Sequence, residues 1–318
     1  MKVFLWIAGV LLFFLSWGGG SGSCSYDELF LLLSGREIPE TARTILLEIR
    51  LPRLLAAFLT GSMLASSGAA AQNIFRNDLA SPHVLGIIHA AALGAVCSIV
   101  FPVPAVAGAF LLSAASLFLI FVPGTKSSWD GAVLLLAGIA VNAFASSLTS
   151  GVLYLADEKL SSVVFWLLGG FWRIGWNEVI LLAAVFLCGS FVLWKYSPEM
   201  DVFLLGDRSA ELGGVPLKKL KPYLLLVISV MTAACVSCCG VIGFVGLAVP
   251  HIVRFFSGAK FSSLLPGCII SGGGFLLLAD LVSRTVFPPH EIPVGILTSA
   301  LGGPFFFMLL LRRRKKYD

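Results

Sequence analysis

The chain has 318 residues, of which 58% are hydrophobic and only 12% are charged, and its formal net charge is +5. Soluble domains carry about 25% charged residues, so this composition excludes an ordinary soluble enzyme or nucleic-acid-binding protein. The mean hydropathy of +0.96 indicates that lipid surrounds much of the surface. We expect one membrane domain over residues 1–318, with no nucleic-acid partner.

Charge-free apolar runs along the chain are long enough to span a bilayer, which requires about 20 helical residues. They cover residues 3–26, 54–75, 79–125, 131–156, 179–194, 222–253, 261–279 and 292–311. Proline ends helices, so Phe101-Pro102-Val103-Pro104 divides the third run. The run 222–253 would be about 48 Å long as one helix, and Gly240, Gly243 and Gly246 offer a turn within it. The pattern predicts an all-α polytopic membrane protein with about ten transmembrane helices.

The distribution of basic residues predicts the orientation. With ten helices and the N-terminus inside, 15 of the 22 basic residues fall in cytoplasmic segments, as expected because cytoplasmic loops collect Lys and Arg. We therefore predict that both termini are cytoplasmic, with an outer loop at 27–53 and the longest cytoplasmic loop at 195–221. Residues 204–212 and 215–220 of that loop are each predicted to form a short helix.

The N-terminal stretch also resembles a secretory signal, because Lys2 precedes the apolar residues 3–15. A lipoprotein cleavage site would have an aliphatic residue three positions before Cys24, where Ser21 stands. We favour a retained first transmembrane helix.

No catalytic or cofactor template is complete in the sequence. Residues 124–127 lack the Gly-Lys-Ser/Thr core of a nucleotide-binding loop, so ATP hydrolysis would need another protein. His290-Glu291 begins like a zinc protease helix, but Val294 stands where the second histidine should be. The seven cysteines fit no metal-ligand spacing and are interpreted as core residues. We predict no catalytic residue, cofactor or metal site.

Charged residues within or beside the apolar runs are candidate functional residues, because ionisable groups in lipid are costly. Asp280 and Arg284 are four residues apart, on one helix face, where they can form an ion pair. Arg50 and Arg53 lie on the same predicted outer side. Three outward arginines could bind carboxylates of a docking protein. A structural ion pair and membrane-interface anchors are the alternatives.

Several motifs follow one another in order over about residues 50–314. They are LPRLLAA at 51–57, QNIFRNDLASP at 72–82, FWLLGG at 165–170, LGD at 205–207, GVIGFVGLAVPHIVR at 240–254, ADL at 279–281 and EIPVG at 291–295. The motif at 240–254 is the most specific. Together they resemble the FecCD-type permeases, the membrane subunits of importers for iron siderophores, haem and vitamin B12.

The resemblance implies a type II ABC importer permease fold in a bacterial cytoplasmic (inner) membrane, with two copies forming the pore. Two ATP-binding-cassette ATPase subunits would dock at the coupling loop, and a periplasmic or lipid-anchored substrate-binding protein would dock outside. The implied ATPase-coupling positions are Leu205, Gly206, Asp207, Ala210, Gly214 and Val215. The implied binding-protein docking positions are Arg50, Arg53 and Arg284. Asn77, Leu79 and Ser150 match positions that line the closed cytoplasmic gate in relatives.

Two departures from the family pattern leave the gate details and the ligand open. Ile87-Ile88-His89-Ala90 replaces a small polar patch, and Gly213 stands where a leucine-like residue is common. His89 could contact a haem or metal chelate, although a packed core histidine is the plainer interpretation. The alternative function is an ion- or proton-coupled carrier that uses Asp280 and Arg284. A membrane-embedded enzyme is a third hypothesis, without a supporting motif.

Overall fold

The computed structural model describes residues 13–14, 16–17, 26–36, 38–101, 104–126, 131–156, 159–288 and 290–314. Within these residues, all regular secondary structure is helical. Six helices are long and apolar enough to cross a membrane, and three further apolar helices are shorter. Most of the predicted first span lies outside the described residues. Counted with that span, the helices confirm an all-α polytopic fold of about ten spans.

The helices are numbered in chain order. They are α1 (Tyr26–Leu33), α2 (Glu40–Phe75), α3 (Ile87–Val100), α4 (Ala105–Lys126), α5 (Gly131–Leu155), α6 (Leu160–Leu167), α7 (Trp176–Lys195), α8 (Ser197–Phe203), α9 (Asp207–Leu212), α10 (Leu217–Cys239), α11 (Val245–Ser257), α12 (Phe261–Thr285) and α13 (Val294–Arg314). Helix α2 contains a π-helical turn at Ile45–Arg50. The predicted outer loop 27–53 is therefore largely helical.

The helix breaks fall where the sequence predicts them. Helix α3 ends at Val100 and α4 begins at Ala105, on either side of the proline pair. The run 222–253 divides between α10 and α11. Gly240 and Phe244, at the ends of that turn, have φ angles of +71° and +63°. Glycine adopts this left-handed backbone without a steric penalty.

Two local predictions are wrong. The apolar run begins at Leu79, but helix begins only at Ile87, because Pro82 lacks a backbone N–H and Gly86 has a left-handed backbone (φ +81°). Residues 77–86, called the 77–86 segment below, form turns instead. Residues 215–220 do not form a separate helix, since α10 begins at Leu217 and continues to Cys239.

Small residues bring α2 into backbone contact with two other helices. A β-carbon on Gly61 would collide with the backbone of Gly272 in α12, and the reverse substitution would collide with Gly61. Nearer the other end of α2, a β-carbon on Gly68 would collide with the backbone of Gly246 in α11. Helices in lipid associate through such close packing. The small residues of α2 therefore allow this close packing, and α2 lies at the centre of the bundle.

The crossing of α2 and α12 gives a stability prediction with a matched control in the same helix. Gly272→Val should lower the melting temperature of the detergent-purified protein, because overpacking costs about 1–3 kcal/mol. Gly274→Val carries the same helix-propensity cost, but a β-carbon at Gly274 has no neighbour within 4 Å. Thermal unfolding of both variants measures the difference. Equal melting temperatures would show that the crossing is not tightly packed.

Candidate functional site

The predicted coupling loop contains the short helix α9. A glycine with a left-handed backbone lies at each end of this helix. Gly206 precedes α9 with φ +99°, and Gly214 follows it with φ +80°. The N–H groups of Gly214 and Val215 donate 3.0 Å hydrogen bonds to the carbonyl oxygens of Glu211 and Ala210. This pairing is the Schellman motif, in which glycine ends a helix. Local sequence therefore determines where α9 ends.

Helix α9 and the turn before it present large apolar side chains at the surface. Leu205 is 71% exposed and Leu212 is 84% exposed, whereas Ala210 and Val215 are buried. The buried pair fixes the helix to the bundle, and the exposed pair remains available to another protein.

Asp207, the first residue of α9, connects the coupling loop to two long helices. Its Oδ2 accepts a 2.8 Å hydrogen bond from Lys221 Nζ of α10, and its Oδ1 lies 3.4 Å from an Arg76 terminal nitrogen. Only 4% of the Lys221 side chain is exposed, so the Asp207 carboxylate pairs with a nearly buried ammonium group. Arg76 directly follows α2. Asp207 thus links α9 to the end of the central helix and the start of the 77–86 segment.

A second ion pair, which the sequence reasoning missed, attaches the 77–86 segment to α11. Arg254 binds the Asp78 carboxylate and donates a 3.0 Å hydrogen bond to Gln72 Oε1. These partners are more than 170 residues apart in the chain. No local pattern indicates such a pairing. The only sequence signal is that Asp78 and Arg254 each lie within one of the family motifs, at 72–82 and 240–254.

The predicted gate residues do not all lie together. Asn77 and Leu79 lie two and four residues after the end of α2, and Asn77 Oδ1 accepts a 3.0 Å hydrogen bond from Leu79 N. Ser150 lies roughly 28 Å along α5 from Gly131, at 1.5 Å per residue. Gly131, at one end of α5, lies against Phe75 at the C-terminal end of α2. Ser150 therefore lies at a different height along α5 from that end, and the assignment of all three residues to the gate stays a prediction.

A buried ion network lies at the opposite end of α2, and we call Arg53, Asp280, Arg284 and Glu291 the outer ion network. Arg53 Nε donates a 2.8 Å hydrogen bond to Asp280 Oδ1, and its terminal nitrogens bind the two Glu291 oxygens at 3.1 and 2.8 Å. Arg284 Nε lies 3.0 Å from Asp280 Oδ2. Asp280 is fully buried, so both arginines neutralise it.

Arg50 and Arg284 also contact the described part of the predicted first span. An Arg50 terminal nitrogen donates a 3.2 Å hydrogen bond to Trp17 O, and one of Arg284 donates a 3.1 Å bond to Ser16 O. The three arginines proposed for docking are only 4–7% exposed. The structure places the three arginines close together, as the sequence predicts. Their positive charges, however, are bound by groups of this same chain. Their docking role remains a prediction.

A bundle of about ten membrane helices, with a short loop helix attached to the ends of its long helices, defines the class of polytopic membrane permeases. The chain belongs to the FecCD transport family, whose profile matches residues 8–312.

Two named relatives and one solved structure match this chain over most of its length. The chain is 40% identical over 273 residues to the cobalamin import system permease protein BtuC of Halobacterium salinarum, covering 84% of this chain and 73% of that protein. It is 38% identical to the hemin transport system permease protein HmuU of Yersinia pestis, covering 82% and 81%. A metal-chelate type ABC transporter in an inward-facing conformation matches with a TM-score of 0.87 and 32% identity, over 98% of both chains.

The outer ion network gives a second stability prediction. Arg53→Ala should destabilise the purified protein by about 3–5 kcal/mol, because removing one partner of a buried pair leaves an uncompensated charge. Arg43→Ala is the matched control, since Arg43 lies on the same helix and is exposed. Chemical or thermal unfolding in detergent compares the two variants. A similar small effect for both would contradict the structural role of Arg53.

Proposed function

We propose that this chain is the permease subunit of an ATP-driven importer for a metal chelate of the haem, cobalamin or iron-siderophore kind. It would act as a homodimer in the cytoplasmic membrane, with both termini in the cytoplasm. The observation that carries the proposal is the attachment of α9 to the inner end of α2 through Asp207. The transport functions named for the cobalamin and hemin relatives support the class of cargo.

Separate ATPase subunits would supply the energy through the coupling loop. Leu205 and Leu212 would contact them, so that closure of the ATPase dimer moves α9. Asp207 would transmit this movement to Arg76, and thereby to Asn77 and Leu79 at the start of the 77–86 segment. ATP drives such a cycle because it binds one of the two conformations more tightly than the other.

A second copy of the chain would complete the translocation pathway. Helix α5 has large exposed apolar side chains along most of its length. They are Leu136, Ile139, Phe144, Leu148, Tyr154 and Leu155. A helix with this much exposed apolar area must face lipid or another protein. We assign part of this face to the partner copy and the remainder to lipid.

A substrate-binding protein would dock at the outer ion network by an exchange of carboxylates. Counting Arg50, the network holds three arginines against two carboxylates, a net charge of +1. Glu291 is its most accessible member, with 31% of its side chain exposed. An acidic side chain of the binding protein would replace Glu291 at Arg53, which keeps the arginine paired throughout docking.

Reconstitution tests the proposed function directly. The chain should be purified with its ATPase subunits, inserted into vesicles, and supplied with binding protein and chelate. We expect uptake only when ATP, the ATPase and the binding protein are all present. Uptake by the chain alone, driven by a pH gradient, would instead establish a secondary carrier and overturn the proposal.

The link through Asp207 gives a coupling prediction. Asp207→Asn should lower chelate uptake at least tenfold while the ATPase still associates and hydrolyses ATP, because α9 would no longer hold Arg76 and Lys221 by charge. Glu211→Gln is the matched control, an exposed carboxylate on the same helix. Asp207→Glu should restore part of the uptake. A normal ratio of uptake to hydrolysis in Asp207→Asn would refute this route.

A further inference from the structure

The 77–86 segment places irregular backbone against the middle of a long helix. Asn142 of α5 donates hydrogen bonds from Nδ2 to His83 O at 2.9 Å and to Val84 O at 3.2 Å. A β-carbon on Gly138 would come within 3 Å of both Val84 and Leu85. Asn142 lies about 17 Å along α5 from Gly131, close to the middle of a bilayer whose apolar core is about 30 Å thick.

Three polar side chains meet at this depth. The His83 and His89 rings have centroids 4.8 Å apart with an interplanar angle of 58°, and Asn142 lies within interaction range of His89. Among the described residues, His83 Nδ1, His89 Nδ1 and Asn142 Oδ1 are buried without a hydrogen-bond partner. Both rings are partly exposed, and neither Nε2 is among these buried atoms. The Nε2 edges are therefore the ones a ligand can reach.

A packed-core interpretation does not explain this arrangement. Buried polar atoms without partners are costly, and more so in the membrane. Polar groups at this depth usually mark the path of a substrate or ion. His83 comes from the turns and His89 from α3, so the fold brings together two imidazoles that local helix geometry would not pair.

The chemistry of imidazole indicates the kind of ligand. A neutral histidine binds iron, cobalt or zinc through the lone pair of one ring nitrogen. The other nitrogen then carries the proton and donates it to an outer acceptor, which fixes the tautomer. Asn142 Oδ1, which has no partner in the unliganded chain and lies on a residue within interaction range of His89, would serve as that acceptor once a metal is bound. With the proton on Nδ1, the lone pair lies on Nε2, at the accessible edge.

We propose that His83 and His89 form a cargo-contact site that binds the metal of a chelate with an open or exchangeable axial position, such as a metalloporphyrin or a corrinoid. This inference rests on the proposed function and narrows its cargo. A hexadentate siderophore complex offers no free position to an imidazole and would gain nothing here.

The ring spacing restricts the binding mode to one axial imidazole at a time. Two imidazoles on opposite faces of a macrocycle are separated by two metal–nitrogen bonds of about 2 Å each plus the ring radii. The centroid distance of 4.8 Å is too short for that arrangement. The second ring would contact the edge or face of the bound ring system instead.

Spectroscopic titration of the full chain in lipid nanodiscs tests the site. The probes are ferric protoporphyrin IX, metal-free protoporphyrin IX, and the iron complex of the hexadentate siderophore desferrioxamine B. The variants are His83→Gln, His89→Gln and their combination. His290→Gln is the matched control, because His290 is exposed beyond the end of α12. Empty nanodiscs correct for partitioning of the porphyrin into lipid.

We expect a mono-imidazole spectrum of the ferric porphyrin with the wild-type chain and with His290→Gln, and at least tenfold weaker binding with the double variant. The metal-free porphyrin should bind all variants alike, and the siderophore complex should show no dependence on the histidines. Free imidazole should restore the ligated spectrum to a second double variant, His83→Gly with His89→Gly, which separates lost ligation from misfolding.

Two results would overturn the site. One is a ligated spectrum that persists in the double variant, and the other is equal affinity for the metal-free and ferric porphyrins. Uptake by the reconstituted importer separates this failure from that of the proposed function. If ATP-dependent porphyrin uptake is unchanged in the double variant, the histidine site is refuted while the proposed importer function stands. Uptake without ATP would refute the proposed function as an ATP-driven importer.

Discussion

The contact between Gly61 and Gly272 fixes the geometry on which the rest of the bundle depends. No side chain separates α2 from α12 at this point, so each helix sets the rotation and height of the other. Arg53 precedes Gly61 by eight residues, and Asp280 follows Gly272 by eight residues. In antiparallel helices these equal steps bring both residues to the same level. The buried ion pair at the outer end is therefore a consequence of the glycine crossing.

At its C-terminal end, α2 is followed by irregular backbone. There the helix gives way to the 77–86 segment, whose backbone polar groups need partners because lipid offers none. Asn142 supplies two hydrogen bonds, and Arg254 holds Asp78. The segment is thus supported by side chains that can exchange partners, whereas α2 is supported by backbone packing that cannot. A rigid helix ending in an adjustable segment suits a permease that must open and close at one end.

The composition, and the prolines and glycines that interrupt the apolar runs, were enough to predict most of the fold. The proline pair between α3 and α4, the glycine turn before α11 and the small residues of α2 act locally, so their effects can be read from the sequence. The turns at 77–86 were missed because the run from Leu79 carries no charge, and Pro82 and Gly86 were not counted as breaks. The partners of Asp207, Arg53 and Arg254 were missed because the contacts join distant helices.

Helix α2 is continuous from Glu40 to Phe75, and its two ends carry the groups assigned to the two partner proteins. A partner that favours one position of this helix from outside changes the position that the partner inside encounters. By thermodynamic linkage, the factor by which a docked binding protein alters nucleotide affinity equals the factor by which nucleotide alters binding-protein affinity. In the proposed importer, a single stiff helix would thereby couple the binding equilibria on the two faces of the membrane without any contact between the two partners.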